Sequence, residues 1–144
     1  MSSNLMLQPV AVLMLLTAVV TVWMFVVRVK AMKQLRVHPQ KGQDTSKLRE
    51  FLPHQANQVA NNYNHLFEQP VLFYAVSLAL YVAVPIDALT LSLAWAYVVA
   101  RVIHSIIQCA WDKVMPRFSV FLVSWLLLIG LIVKFALFVF NPVT

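Results

Sequence analysis

The chain has 144 residues, of which 61% are hydrophobic and only 11% charged, with a mean hydropathy of +0.78. That composition excludes an ordinary soluble globular domain and identifies an integral membrane protein. A formal charge of +6 invites a nucleic-acid reading, but the basic residues flank apolar runs without interleaved aromatics. Nucleic-acid binding is therefore set aside in favour of topology and anionic lipid headgroups.

Four apolar runs reach the ~20 residues that a helix needs to cross the hydrocarbon core. They are placed at residues 9–29, 54–84, 87–110 and 118–140. The first run is longer than the core of a signal peptide and ends at Val29 and Lys30 without a small-residue cleavage site, so it is read as a span. Between the first two runs, residues 38–53 are polar and contain Pro39, Gly42 and Pro53, which predicts an irregular connecting loop.

Lys and Arg set the orientation. The first connection carries Arg28, Lys30, Lys33, Arg36, Lys41, Lys47 and Arg49, and the third carries Lys113 and Arg117. Both are expected on the cytoplasmic side and both termini on the opposite side. The whole chain, 1–144, is expected to form one all-α transmembrane domain of four helices. Neither a broken-helix pattern nor an inverted repeat supports a transporter.

Cys109 is the single cysteine, so no intrachain disulfide can form, and its apolar neighbours mark it as a packed side chain. No His or Cys spacing suggests a metal site.

Polar residues inside the apolar runs are the functional signal, because ionisable groups are costly there. In the second run Asn57, Asn61, His65 and Glu68 recur at spacings of four, four and three, which puts them on one helical face. In the third, Arg101, His104 and Gln108 do the same. With a short turn near Pro85, Glu68 and His104 are each about 18 residues from residue 86, or roughly 27 Å along a helix. Glu68, His65, Arg101 and His104 are therefore expected to meet in the cytoplasmic half. The bland reading is an internal Glu68–Arg101 ion pair. Against it stands an excess of cationic and hydrogen-bonding groups, including Arg117 and Lys113, which suits an anionic or zwitterionic guest. Pro70 removes a backbone donor and predicts a kink in the second span.

The stretch 61–74 (NNYNHLFEQPVLFY), followed by Ala100 to His104 (ARVIH) and Pro116 to Val120 (PRFSV), resembles the MAPEG family, the membrane-associated proteins in eicosanoid and glutathione metabolism. It is most similar to small bacterial members. The resemblance implies a left-handed four-helix bundle assembling as a homotrimer in the inner membrane, with sites between subunits that open to the cytoplasmic side. It also implies glutathione as cofactor. Glu68 matches the glutamate that holds the amino end of glutathione. Arg101 and His104 match positions lining the site, and Arg117 matches the arginine that stabilises the thiolate. Arg28 or Lys30 would hold a carboxylate. Relatives with glutathione chemistry carry Arg, Asn and Tyr where this chain has Asn61, His65 and Gln108, so a carboxylate clamp has lost its charge and the site an aromatic wall.

The function expected from these residues is a glutathione-dependent transferase or peroxidase acting on a lipophilic electrophile from the bilayer. Arg117 and His104 would be catalytic. Arg28, Lys30, Asn61, His65, Glu68, Arg101 and Gln108 would bind the cofactor. The alternative is a non-catalytic lipid-binding or scaffold protein of the same fold.

Overall fold

The computed structural model describes residues 3–38, 40, 43–83 and 85–141; Pro39, Lys41, Gly42 and Val84 lie outside the described residues. A 3-10 turn at Ser3–Met6 leads into α1 (Leu7–Gln34), followed by α2 (Thr45–Phe51), α3 (His54–Leu66), α4 (Gln69–Ala83), α5 (Ala88–Ala110) and α6 (Val114–Phe140). No strand occurs among the described residues. Four helical segments, Asn4–Gln34, His54–Ala83, Ala88–Ala110 and Val114–Phe140, are long and apolar enough to cross a membrane, and together they form an all-α integral membrane four-helix bundle.

α5 packs along α6, α3 lies on α1 and α5, and α4 lies on α6. The core is built from Leu13 and Val20 of α1, Leu66 of α3, Phe73 and Leu80 of α4, Tyr97 of α5, and Leu128 and Leu131 of α6. Phe73 and Tyr97 stack with ring centroids 4.5 Å apart. The outward faces of α1 (Leu15, Val19, Val22, Val26) and α6 (Leu122, Leu126, Ile129, Val133) are exposed and apolar. Such faces match hydrocarbon rather than water.

Prolines mark helix starts, where a missing N–H costs nothing. Pro53 caps α3, Pro70 is second in α4, and Pro116 is in the first turn of α6. Asp87 caps α5 by accepting from Thr90 N at 2.9 Å, and Lys134 of α6 donates to both of its oxygens at 2.7 and 2.6 Å.

The structure corrects several boundaries. α1 continues to Gln34, so Arg28, Lys30 and Lys33 are helical rather than part of a connection. The last helix begins at Val114, four residues before the expected span, which puts Arg117 in its first turn. The expected loop at 38–53 contains α2, whose start is fixed by Asp44 accepting from Ser46 N and Lys47 N. Leu48 and Leu52 then dock it on Ala31 and Ala56. The second span is interrupted outright: α3 ends at Leu66 and α4 starts at Gln69, with a turn at Phe67 and Glu68. The Pro70 kink is thus a break, and the expectation of unbroken helices does not hold.

Candidate functional site

The break in the second span determines what surrounds Arg101. In a continuous helix the carbonyl of His65 would accept from the amide of residue 69. Here that carbonyl accepts from Arg101 Nη2 at 3.1 Å, while Arg101 Nη1 donates to Gln69 Oε1 at 3.1 Å. Gln69 Oε1 also accepts from Ser124 Oγ of α6 at 3.1 Å. Arg101 is 0% exposed, so this brace is sealed within the bundle. The Glu68–Arg101 pair of the bland reading is absent among the described residues, because the turn at 67–68 rotates Glu68 outward and leaves its side chain 62% exposed.

Glu68 instead meets His65, with Oε2 2.9 Å from Nδ1. A carboxylate only accepts, so Nδ1 carries the hydrogen of this contact. The His65 ring lies edge-on to His104 with centroids 5.9 Å apart, and both rings approach Phe121. His65, His104 and Arg117 line a half-open cavity of about 180 Å³ whose other walls are Val114, Phe118 and Phe121. His104 Nδ1 is buried and has no hydrogen-bond partner among the described residues.

Arg117 Nη1 donates to Asp112 Oδ1, and His54 Nε2 stands 3.5 Å from Asp112 Oδ2. Asp112 takes a left-handed conformation (φ 45°), which aspartate tolerates better than most residues, in the turn that ends α5. Its amide donates to Ile107 O at 2.9 Å.

The polar face expected along the second span is split. Asn57 and Asn61 point towards α2: Asn57 Nδ2 donates to Arg49 O at 2.9 Å, and Arg49 Nη2 donates to Asn61 Oδ1. The charge lacking at position 61 is brought there in space by Arg49. Arg28 and Asn61 line a second cavity, of about 280 Å³, between α1, α2 and α3. Lys30 lines a different one with Trp23, Gln34 and Gln55. Gln108 is buried, its Oε1 has no partner among the described residues and, like Arg101, it lines neither of the two polar cavities.

The sequence reading missed Gln69, Arg49 and Asp112. Gln69 stands beside Glu68 and before a proline, a place where a buried amide can reach a freed carbonyl's neighbour. Asp112 is one of only five acids and lies five residues before Arg117. Arg49 was counted only as a topology charge. Among the described residues no group of three or more His, Cys, Asp or Glu side chains could hold a metal.

No curated protein and no solved structure matches the chain significantly. The sequence profile of the MAPEG family matches residues 6–137 of the 144, and with that coverage the chain belongs to the MAPEG family.

Proposed function

We propose that the protein is a membrane-embedded, glutathione-dependent transferase or peroxidase acting on a lipophilic electrophile. The observation that carries this reading is the cavity that joins His65, His104 and Arg117 to Phe118 and Phe121. A cationic group beside an aromatic wall at the end of a transmembrane bundle suits a thiolate meeting an apolar substrate. The unpartnered His104 Nδ1 leaves hydrogen-bonding capacity that a polar ligand can satisfy.

Glutathione supplies a nucleophilic thiol, whose free pKa near 8.5 is lowered by a neighbouring cation. Arginine has five donors, and Arg117 gives Nη1 to Asp112, so the others remain for a sulfur anion. His65, oriented by Glu68, and Arg101, through the carbonyl of His65, position the polar end of the site. Asn61 adds an amide and Arg28 or Lys30 a carboxylate partner, while Gln108, which lines neither polar cavity, is given no ligand contact. His104 stabilises the leaving or developing anion by hydrogen bonding from its ring N–H. The assembly proposed is a homotrimer in a bacterial inner membrane with both termini periplasmic, and the lipophilic substrate arrives from the lipid.

The test is equilibrium binding of glutathione to the detergent-purified protein and to Arg117→Ala, following thiolate absorbance in both. Saturable binding with a thiolate signal that Arg117→Ala lacks supports the reading. Absence of binding at millimolar glutathione overturns it. That result would favour the second reading, a lipid-binding or scaffold protein, whose specific support is an apolar hollow of about 190 Å³ between α1 and α5, lined by Leu16, Val19, Trp23 and Ile106 among others.

A further inference from the structure

The hollow of about 190 Å³ between α1 and α5 has an apolar rim and a polar floor. Val19, Trp23 and Ile106 on its rim are exposed, so it opens sideways onto the acyl chains of the bilayer. Its floor is Asn62 of α3, 0% exposed, with Ser105 of α5, 4% exposed, and Cys109 one turn further along α5. Neither Nδ2 nor Oδ1 of Asn62 has a nitrogen or oxygen partner among the described residues, and nor has Ser105 Oγ. The Cys109 thiol interacts with the Asn62 amide, but sulfur is a weak donor and a weak acceptor.

Comparable side chains nearby are satisfied. Ser92 and Ser119 return their hydroxyls to the carbonyl four residues back, as a helical serine in apolar surroundings can. Asn57 and Asn61, on the same helix as Asn62, both bond to Arg49. Asn62 and Ser105 instead turn an amide and a hydroxyl towards one lipid-facing hollow. In hydrocarbon such groups are costly until a partner satisfies them.

The composition of the floor sets the chemistry of that partner. No Asp, Glu, Lys, Arg or His lines the hollow, so a charged group would enter it unmatched. A carbonyl or ether oxygen only accepts and would leave Asn62 Oδ1 without a donor. A hydroxyl accepts from Nδ2 or from Ser105 Oγ and donates to Oδ1, which meets both needs with one atom. An apolar cavity of about 150 Å³ holds a benzene ring, so this hollow takes the hydroxyl and the first carbons of a ligand whose remaining chain lies among the lipids. It shares no lining residue with the cavity of His65, His104 and Arg117, since Ser105 stands roughly 100° round α5 from His104.

We propose that Asn62 and Ser105 form a lateral, bilayer-facing site for an uncharged lipophilic alcohol. The proposal deepens the lipid-binding reading above and stands independently of the glutathione chemistry.

The experiment places the protein in lipid nanodiscs and follows tryptophan quenching by a long-chain alcohol that carries bromine beside its hydroxyl, and by the methyl ether of the same compound. Trp23 lines the hollow, and Trp23→Phe identifies its share of the signal. The expected result is at least tenfold tighter binding of the alcohol than of the ether. Ser105→Ala should narrow that preference several-fold, and Asn62→Leu should abolish it while the ether still binds. Ser105→Ala is nearly isosteric, so the test stands even where Asn62→Leu fails to fold. Equal affinity for alcohol and ether in wild type, or a preference that either variant leaves unchanged, overturns the site and leaves Asn62 as a structural amide. Glutathione titrations of the same samples should agree between wild type and Ser105→Ala, whichever way the thiol reading falls; a difference would overturn the separation of the two sites.

Discussion

Arg117 and Asp112 form an ion pair across the turn that joins α5 to α6, with the left-handed Asp112 presenting its carboxylate to Nη1 of the arginine and to the ring of His54. The pair fixes the guanidinium at the mouth of the His65–His104 cavity. It also offsets part of the positive charge that a thiolate would feel there.

Asp112→Asn keeps an acceptor for Arg117 and removes the opposing charge. Under the proposed function, the bound thiol is expected to ionise at lower pH in this variant, by roughly half a pH unit. An absorbance titration of the glutathione-saturated protein between pH 5 and 9, about the range in which a perturbed thiol titrates, reads this directly. A shift in the opposite direction would mean that Asp112 acts mainly by holding Arg117 in place.

Gln69→Leu removes the side-chain acceptor of a fully buried guanidinium and also releases Ser124. A hydrogen bond to a charged group contributes about 2 kcal/mol, and its loss leaves Arg101 with only the His65 carbonyl. Thermal unfolding in detergent should show that loss, and Gln69→Glu should restore it by offering the same oxygen position. Equal stability of Gln69→Leu and wild type would mean that water replaces the amide.

Glu68→Gln leaves the bundle intact, because the side chain is largely exposed and its hydrogen bond is to His65. The neutral amide can present either an acceptor or a donor to Nδ1, so the His65 tautomer is no longer fixed. Glutathione affinity should fall several-fold while the unfolding free energy stays within about 0.5 kcal/mol of wild type, as for other exposed substitutions. Loss of folding would instead assign Glu68 a structural role.

Asp87 is held well below the usual carboxylate range, chiefly by its hydrogen bonds from Lys134 and then from Thr90. A depressed carboxyl stabilises the folded state at pH above the ordinary carboxylate value of 3.8, and the contribution fades as pH falls below it. The carboxyl is more than half exposed, so the effect is kept to about 1 kcal/mol or less. Melting curves from pH 6 to pH 3, roughly the window of carboxylate titration, should therefore descend more steeply for wild type than for Asp87→Asn. Parallel curves would exclude the Lys134 linkage.

The four spans were legible because runs of some twenty apolar residues leave few alternatives, and His65 with His104 was legible because helical spacing and equal depth bring them together. Glu68 was misplaced because its position was extrapolated along an uninterrupted helix, and a two-residue turn is enough to rotate a side chain from the interior to the surface. α2 was hidden by the prolines and glycine that surround it; its signal was Asp44 followed by Leu48 and Leu52 at helical spacing. The partnership of Arg49 with Asn61 could not be read from a linear sequence, since it depends on how a connecting helix folds back over α3.

The interruption at Phe67 and Glu68 frees a backbone carbonyl in the middle of a membrane span, and Arg101 takes it together with an amide. Neither acceptor can ionise. The guanidinium is consequently a fixed positive charge whose partners never cancel it at any physiological pH, in surroundings where screening by salt is slight. The bundle carries a permanent electrostatic bias in favour of anions at the depth of its polar cavities, set by where the chain breaks rather than by any acid that could be mutated or protonated away.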